Sequence, residues 1–268
     1  MIPPAASRRA SNSTGDGGAR DGDRAISDVV GFVLVFALIV SVVAVVSLAG
    51  LGSLQSARDA GQTDNAERAM GILADNAADV YQRGAPSRAT EISLDDAGMH
   101  LGEPVTVRVA DAEGSVSFDE SFSIRPLVYR GPDGTELVYS MGALFRVQDR
   151  GGVVVREWPG RVTGDRVAMP VVNTSSATGG AQSLASSTVL VRTVATNRSV
   201  VAEVTGFEEK WTVRIDSPRR ELWFRTLDRR TGVDCDLPTG DDHVVCTMTG
   251  EPSALYLTET RIEVSIDR

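Results

Sequence analysis

Residues 29–54 read VVGFVLVFALIVSVVAVVSLAGLGSL, and no charged residue occurs from Val29 to Ala57. The hydrocarbon core of a bilayer is crossed by about 20 apolar residues in a helix, so this stretch spans a membrane with length to spare. A buried core helix rarely runs so far without one charge. Orientation follows from the flanks. Arg8, Arg9, Arg20 and Arg24 precede the span, whereas Arg58 follows it among Asp59, Asp64 and Glu67. Basic flanks stay cytoplasmic, which places everything after the span outside the cell.

Upstream, residues 1–25 are dominated by Gly, Ser, Asp and Arg without apolar periodicity and are expected to be a disordered cytoplasmic leader. Downstream, Ala66, Met70, Leu73, Ala77 and Val80 recur at helical intervals, with Asp64, Arg68, Asp75, Asp79 and Arg83 on the other faces. Gly84 and Pro86 are stop signals, so the spacing predicts one helix over residues 26–83. At about 1.5 Å per residue it would be ~85 Å long, more than a membrane needs. Its outer half must pack either on the protein's own globular part or on neighbouring helices. Gly61 and Gly71 within it allow a bend.

From residue 84 to 268 the period changes to two. Val105, Val107 and Val109 alternate with polar residues, as do Trp211, Val213 and Ile215, and Ile262, Val264 and Ile266. Further strands are expected near 122–129, 144–147, 153–158, 189–194, 200–204, 222–227, 244–248 and 255–257. Residues 173–187, rich in Ser, Thr, Ala and Gly, read as a long loop that divides the domain or projects from it. The fold class is α+β: a long N-terminal membrane-spanning helix, then an extracellular antiparallel β-sandwich-like domain.

Composition narrows the function. The 268 residues carry 27 Lys plus Arg against 36 Asp plus Glu, a formal charge of −9, which argues against a nucleic-acid partner. Lys210 is the sole lysine, and this Arg-rich, acid-rich balance resembles proteins of halophilic archaea, whose carboxylates stay soluble where salt screens over about 3 Å at 1 M. With two His and two Cys there is no zinc framework, and neither Gly-x-Ser-x-Gly nor His-Glu-x-x-His occurs. No catalytic residue, metal site or cofactor is assigned, and the chain is not read as an enzyme.

The junction Asp23-Arg24-Ala25-Ile26-Ser27-Asp28-Val29-Val30-Gly31 resembles the class III signal of archaeal pilins and flagellins, and its arrangement is similar to the haloarchaeal version. A similarity to an uncharacterised haloarchaeal pilin-like family extends to residues 65–69 and 84–88. The resemblance implies that a prepilin peptidase cuts between Ala25 and Ile26, leaving Ser27, Asp28 and Gly31 at the start of a retained helix. It also implies that other pilin-like subunits are partners through that helix. Bacterial pilins usually carry Glu at the fifth mature position, where this chain has Val30; its acid is Asp28, at the third, where helix-dipole capping accounts for it. Ser47-Leu48-Ala49 is a rival cut site for ordinary secretion, and Arg8-Arg9 reads as a positive flank.

Three features remain. Asn173 and Asn197 begin glycosylation tripeptides, Asn173 being the favoured one because of its expected loop. Cys235 and Cys246 suit a hairpin disulfide outside the cell. Asp234, Asp236, Asp241, Asp242 and His243 are read as a solvated acidic turn, with cation binding as the alternative. His100 is read as an ordinary structural histidine. The leading function is a pilin-like surface protein, anchored by or assembled through its helix, in the cell membrane or a surface filament. The alternative is a single-pass anchored binding module that does not polymerise.

Overall fold

The computed structural model describes residues 19–111, 118–149, 151–163, 166–178, 183–185, 187–205, 210–248 and 254–268, with the side chains of residues 19–28 and of Ser56 outside that description. Helix α1 spans Ala19–Tyr81, followed by β1 (Ser87–Ser93), β2 (Gly98–Leu101), β3 (Val105–Asp111), β4 (Asp119–Ile124), β5 (Leu127–Arg130), β6 (Glu136–Ser140), β7 (Ala143–Gln148) and β8 (Gly151–Arg156). Then come β9 (Arg161–Thr163), β10 (Arg166–Ser176), β11 (Ser183–Ala185), β12 (Thr188–Thr205), β13 (Trp211–Asp216), α2 (Arg220–Leu227), β14 (Val233–Asp236), β15 (His243–Met248) and β16 (Ala254–Asp267). Two compact units result, Met1–Ala57 and Arg58–Arg268, and the second, which includes the outer part of α1, is called the head below.

The head contains three sheets, in the orders β1-β12-β16-β10-β9, β11-β2-β5-β6-β7-β8 and β14-β15-β13-β3-β4. Among the described residues pairing is antiparallel with one exception, β10 on β16, which run parallel from Arg166↔Ala254 to Ser176↔Val264. The second sheet is buried on both faces. Leu127, Tyr129, Leu137 and Tyr139 enter a core shared with α1 and the first sheet, while Val128, Val138 and Phe145 enter another shared with the third sheet and α2. Side chains alternate across a strand, so β5 and β6 serve two cores only by being apolar at successive positions.

The outer part of α1 supplies one wall of a core. Ala66, Met70, Leu73, Ala77 and Val80 are all buried in one cluster with Ile92, Met99, Leu101, Val191, Ile262 and Val264 of the first two sheets. The helical stripe therefore packs on the protein's own head, and each fully buried Met, Leu or Val contributes about 1.5–3 kcal/mol of transfer free energy. The helix ends where Gly84 takes φ +76°, a conformation that costs a residue without a Cβ little. Ala85 N–H then donates to the Asp79 carbonyl at 3.0 Å. Arg198 on β12 donates from Nη2 to the carbonyls of Val80 at 3.1 Å and Ala85 at 2.6 Å, so a cation meets the negative end of the helix.

Several sequence expectations are corrected. Residues 222–227 form α2, not a strand: Leu222, Trp223, Thr226 and Leu227 are buried at helical intervals, and Thr226 Oγ1 donates to the Leu222 carbonyl at 2.8 Å. The expected strand 122–129 is two strands, interrupted at Arg125-Pro126. Residues 173–176 are the end of β10 and residues 183–185 form β11, so parts of the expected long loop are strand, and the head is not divided there. The expected strands 189–194 and 200–204 are one, β12, carrying register shifts at Ala195/Asn197 and Val200/Ala202. Helix α1 begins at Ala19, which puts Ser27 and Asp28 in its interior in the uncut chain instead of at its first turn.

Candidate functional site

The surface most distinctive of this chain is the helix from Val29 to Leu54. Phe32, Leu34, Leu38, Val45, Leu48 and Leu54 are each more than 60% exposed, and α1 from Val29 onward is the one helix among the described residues long and apolar enough to cross a membrane. Two of its hydroxyls bond within the helix: Ser41 Oγ donates to the Ala37 carbonyl at 2.7 Å and Ser53 Oγ to the Gly50 carbonyl at 2.9 Å. Hydroxyls bonded back to the helix backbone in this way leave a largely hydrocarbon surface, which is what contact with lipid requires. Phe32 and Phe36 stack at 6.2 Å between ring centroids, and a Cβ built on Gly31 would meet nothing within 4 Å. The proposed processing residues Arg24, Ala25 and Ile26 lie on helical backbone, but their side chains and those of Ser27 and Asp28 fall outside the described residues.

In the head, Cys235 and Cys246 stand directly opposite on β14 and β15 and are joined as a disulfide. The acidic stretch beside them is occupied structurally. Arg220 Nη1 donates to the carbonyls of Asp241 and, at 2.7 Å, Pro238, while the Asp242 carbonyl accepts from Ser217 N–H at 2.8 Å. His243 Nδ1 lies 3.9 Å from Asp241 Oδ2 and 4.0 Å from Asp216 Oδ1. Among the described residues no group of three His, Cys, Asp or Glu side chains is placed to hold a metal ion. His100 lies half-buried on β2; burial, and then the nearby Arg130 charge, hold its pKa below the ordinary imidazole value.

The two candidate glycosylation positions differ sharply. Asn173 sits within β10, half-buried, and its Nδ2 donates to Glu259 Oε1 at 2.7 Å. Glu259 is itself buried and also accepts from Arg261 Nε at 3.1 Å, so Asn173 completes a packed polar cluster. Asn197 is exposed on β12, immediately after a register shift.

Two features were not anticipated from sequence. The first is a charge cluster in which Glu136 accepts from Arg130 and, at 2.8 Å, from Arg219 Nη2. Burial pushes the Glu136 carboxyl up, but the two guanidiniums outweigh it and hold its pKa below the usual carboxylate value. The second is a cleft of about 460 Å³ lined by Tyr81, Arg156, Glu157, Arg161, Met169 and Tyr256. Its aromatic and guanidinium groups suit binding; they do not form a nucleophile–base pair. Alternation and spacing report which face a residue takes, and neither feature has a periodic signal because each is assembled from elements far apart in sequence.

No curated protein and no solved structure matches the chain. Residues 24–265 match a family of unknown function, DUF7289. The match covers the helix from just before the proposed cut site, the whole alternation of strands after it, and both cysteines, and on that breadth the chain belongs to DUF7289.

Proposed function

We propose that the chain is a pilin-like surface protein held in the membrane by residues 29–54, with its head outside the cell. The observation that carries this reading is the change in burial along one helix. From Val29 to Leu54 the apolar side chains are exposed, whereas from Ala66 to Val80 the apolar stripe is buried in the head. The first segment is left available to lipid or to equivalent helices of other subunits; the second is already used. The basic residues before the span support the orientation, and the Arg24-Ala25 junction supports cleavage by a prepilin peptidase. Two cores flanking one sheet support a layered, sandwich-like description of the head. The acidic, lysine-poor composition supports a salt-rich setting.

Two measurements test the proposal. N-terminal peptide mass spectrometry of membranes should find Ile26 as the first residue; a terminus near Gly50 would instead mean ordinary secretion. Shearing cells should release the protein in surface fibres, and altering Arg24-Ala25 so that the leader stays attached should abolish that release. Protein confined to membranes in both strains rules out the filament. A second reading, an anchored binding module that does not polymerise, is favoured by the Tyr81–Tyr256 cleft and by the burial of the outer helical stripe in the protein's own head.

A further inference from the structure

We infer that Asn197 is a glycosylated residue of the head and that Asn173, despite its tripeptide, is not. The inference rests on the external placement of the head proposed above. Both residues have a hydroxyl-bearing residue two positions on, Ser199 and Ser175, so the tripeptide itself does not separate them. Structure does. A transferase must take the acceptor side chain into its own site, and the Asn173 amide is committed: it is half-buried in an eleven-residue strand paired in parallel with β16, and it donates to the buried Glu259 at 2.7 Å. Freeing it would leave the Glu259 carboxylate, which is 4% exposed, short of a hydrogen-bond donor.

The surroundings of Asn197 are open. Residues 196–198 are a run of exposed positions. Strand β1 pairs with β12 only as far as Val194, after which the described residues place β16 on one side of β12 and no strand on the other. The extra residue at Thr196 frees the chain from strict register immediately before the acceptor. Arg198, between the acceptor and Ser199, is turned to the end of α1, where its guanidinium holds the Val80 and Ala85 carbonyls. Successive side chains leave a strand on opposite sides, so Arg198 anchors the tripeptide without covering Asn197.

The chemistry balances with a lipid-phosphate-linked oligosaccharide as donor. The Asn197 amide nitrogen bonds to the anomeric carbon, the anomeric C–O bond to phosphate breaks, the lipid phosphate departs with the electron pair, and the amide proton passes to a base. A glycan there would stand beside the free side of β12, where Ser199 to Ala202 would otherwise offer an uncharged edge to another chain.

The test uses the full chain made in a host that glycosylates exported proteins. Trypsin separates the candidates, because residues 167–192 contain Asn173 and residues 193–198 contain Asn197. The expected result is a glycan mass on 193–198, none on 167–192, and its complete loss in Asn197→Gln. Protease accessibility of the head on intact cells is read in parallel. An accessible head with an unmodified 193–198 peptide, or with a glycan on 167–192, overturns the assignment alone. An inaccessible head overturns the external placement and the assignment with it.

Discussion

The indole of Trp158 occupies the place where a side chain on Gly160 would have to go: a Cβ built there would overlap Trp158 Cη2. Arg230 fastens the same corner, with its guanidinium 5.2 Å from the Trp158 ring centroid and donating to the carbonyls of both residues. Trp158 is among the largest fully buried side chains, so the ring has nowhere to retreat. Gly160→Ala is therefore expected to destabilise the head by about 1–3 kcal/mol. Gly98→Ala is the control, because its added Cβ would meet nothing closer than 3.7 Å. Urea unfolding of the two variants distinguishes them.

The division of α1 into a buried and an exposed part gives opposite expectations for two leucines. Leu73, 1% exposed in the helix–sheet core, should cost about 2–5 kcal/mol when replaced by Ala. Leu38, 65% exposed, should leave the melting of the head unchanged when replaced by Arg, and instead disfavour membrane insertion by about 2.5–3.5 kcal/mol. Melting curves and carbonate extraction of membranes read the two effects separately.

Reducing the Cys235–Cys246 bridge, which joins residues 11 apart, should lower stability by about 3 kcal/mol through the freedom returned to the unfolded chain. Intact mass before and after reduction should differ by the two hydrogens, and the denaturation midpoint should drop in the reduced sample.

Acid should weaken the head in two steps. His100 has its folded pKa held below 6.5, so the unfolded chain binds the extra proton and stability declines as pH falls from that value toward the folded one. Glu136 has its folded pKa held below 4.5, so its contribution is full above 4.5 and is lost as pH falls through the folded value. His100→Gln should flatten the upper step, whereas Arg219→Met should mainly flatten the lower one and also reduce the upper, because the Arg219 charge contributes to lowering the His100 pKa as well, in denaturation midpoints measured against pH.

How much of this was legible depended on whether a residue's neighbours were local. The stripe from Ala66 to Val80 was readable because one helix face meets one core, and β3 and β13 because each shows a single alternating buried face. Strand β6 was missed because Leu137, Val138 and Tyr139 are all buried, which erases alternation. Helix α2 was misread because a short run of large apolar residues fits either period, and its burial is decided by β8, β14 and β15 packed around it. Asn173 was misplaced because composition alone marks Asn, Thr and Ser as loop residues, while their strand conformation is imposed by the distant β16. The Glu136 cluster joins residues 83 positions apart and leaves no local trace.

The position of β16 also dictates an order of events during synthesis. It lies between β12 and β10, and among the described strands of that sheet it is the only link between β1-β12 on one side and β10-β9 on the other. Its residues reach both cores, Leu255 and Leu257 in one and Ile262, Val264 and Ile266 in the other. β16 follows both β12 and β10 in the chain, so the central pairings of that sheet form only once β16 has been made. Its partners on β10 and β12 lie far away in sequence, and such long-range pairings form slowly. A chain ending before Ala254 is expected to be protease-sensitive around β10 and β12, which lose their shared partner, while the apolar helix of residues 29–54 is unaffected.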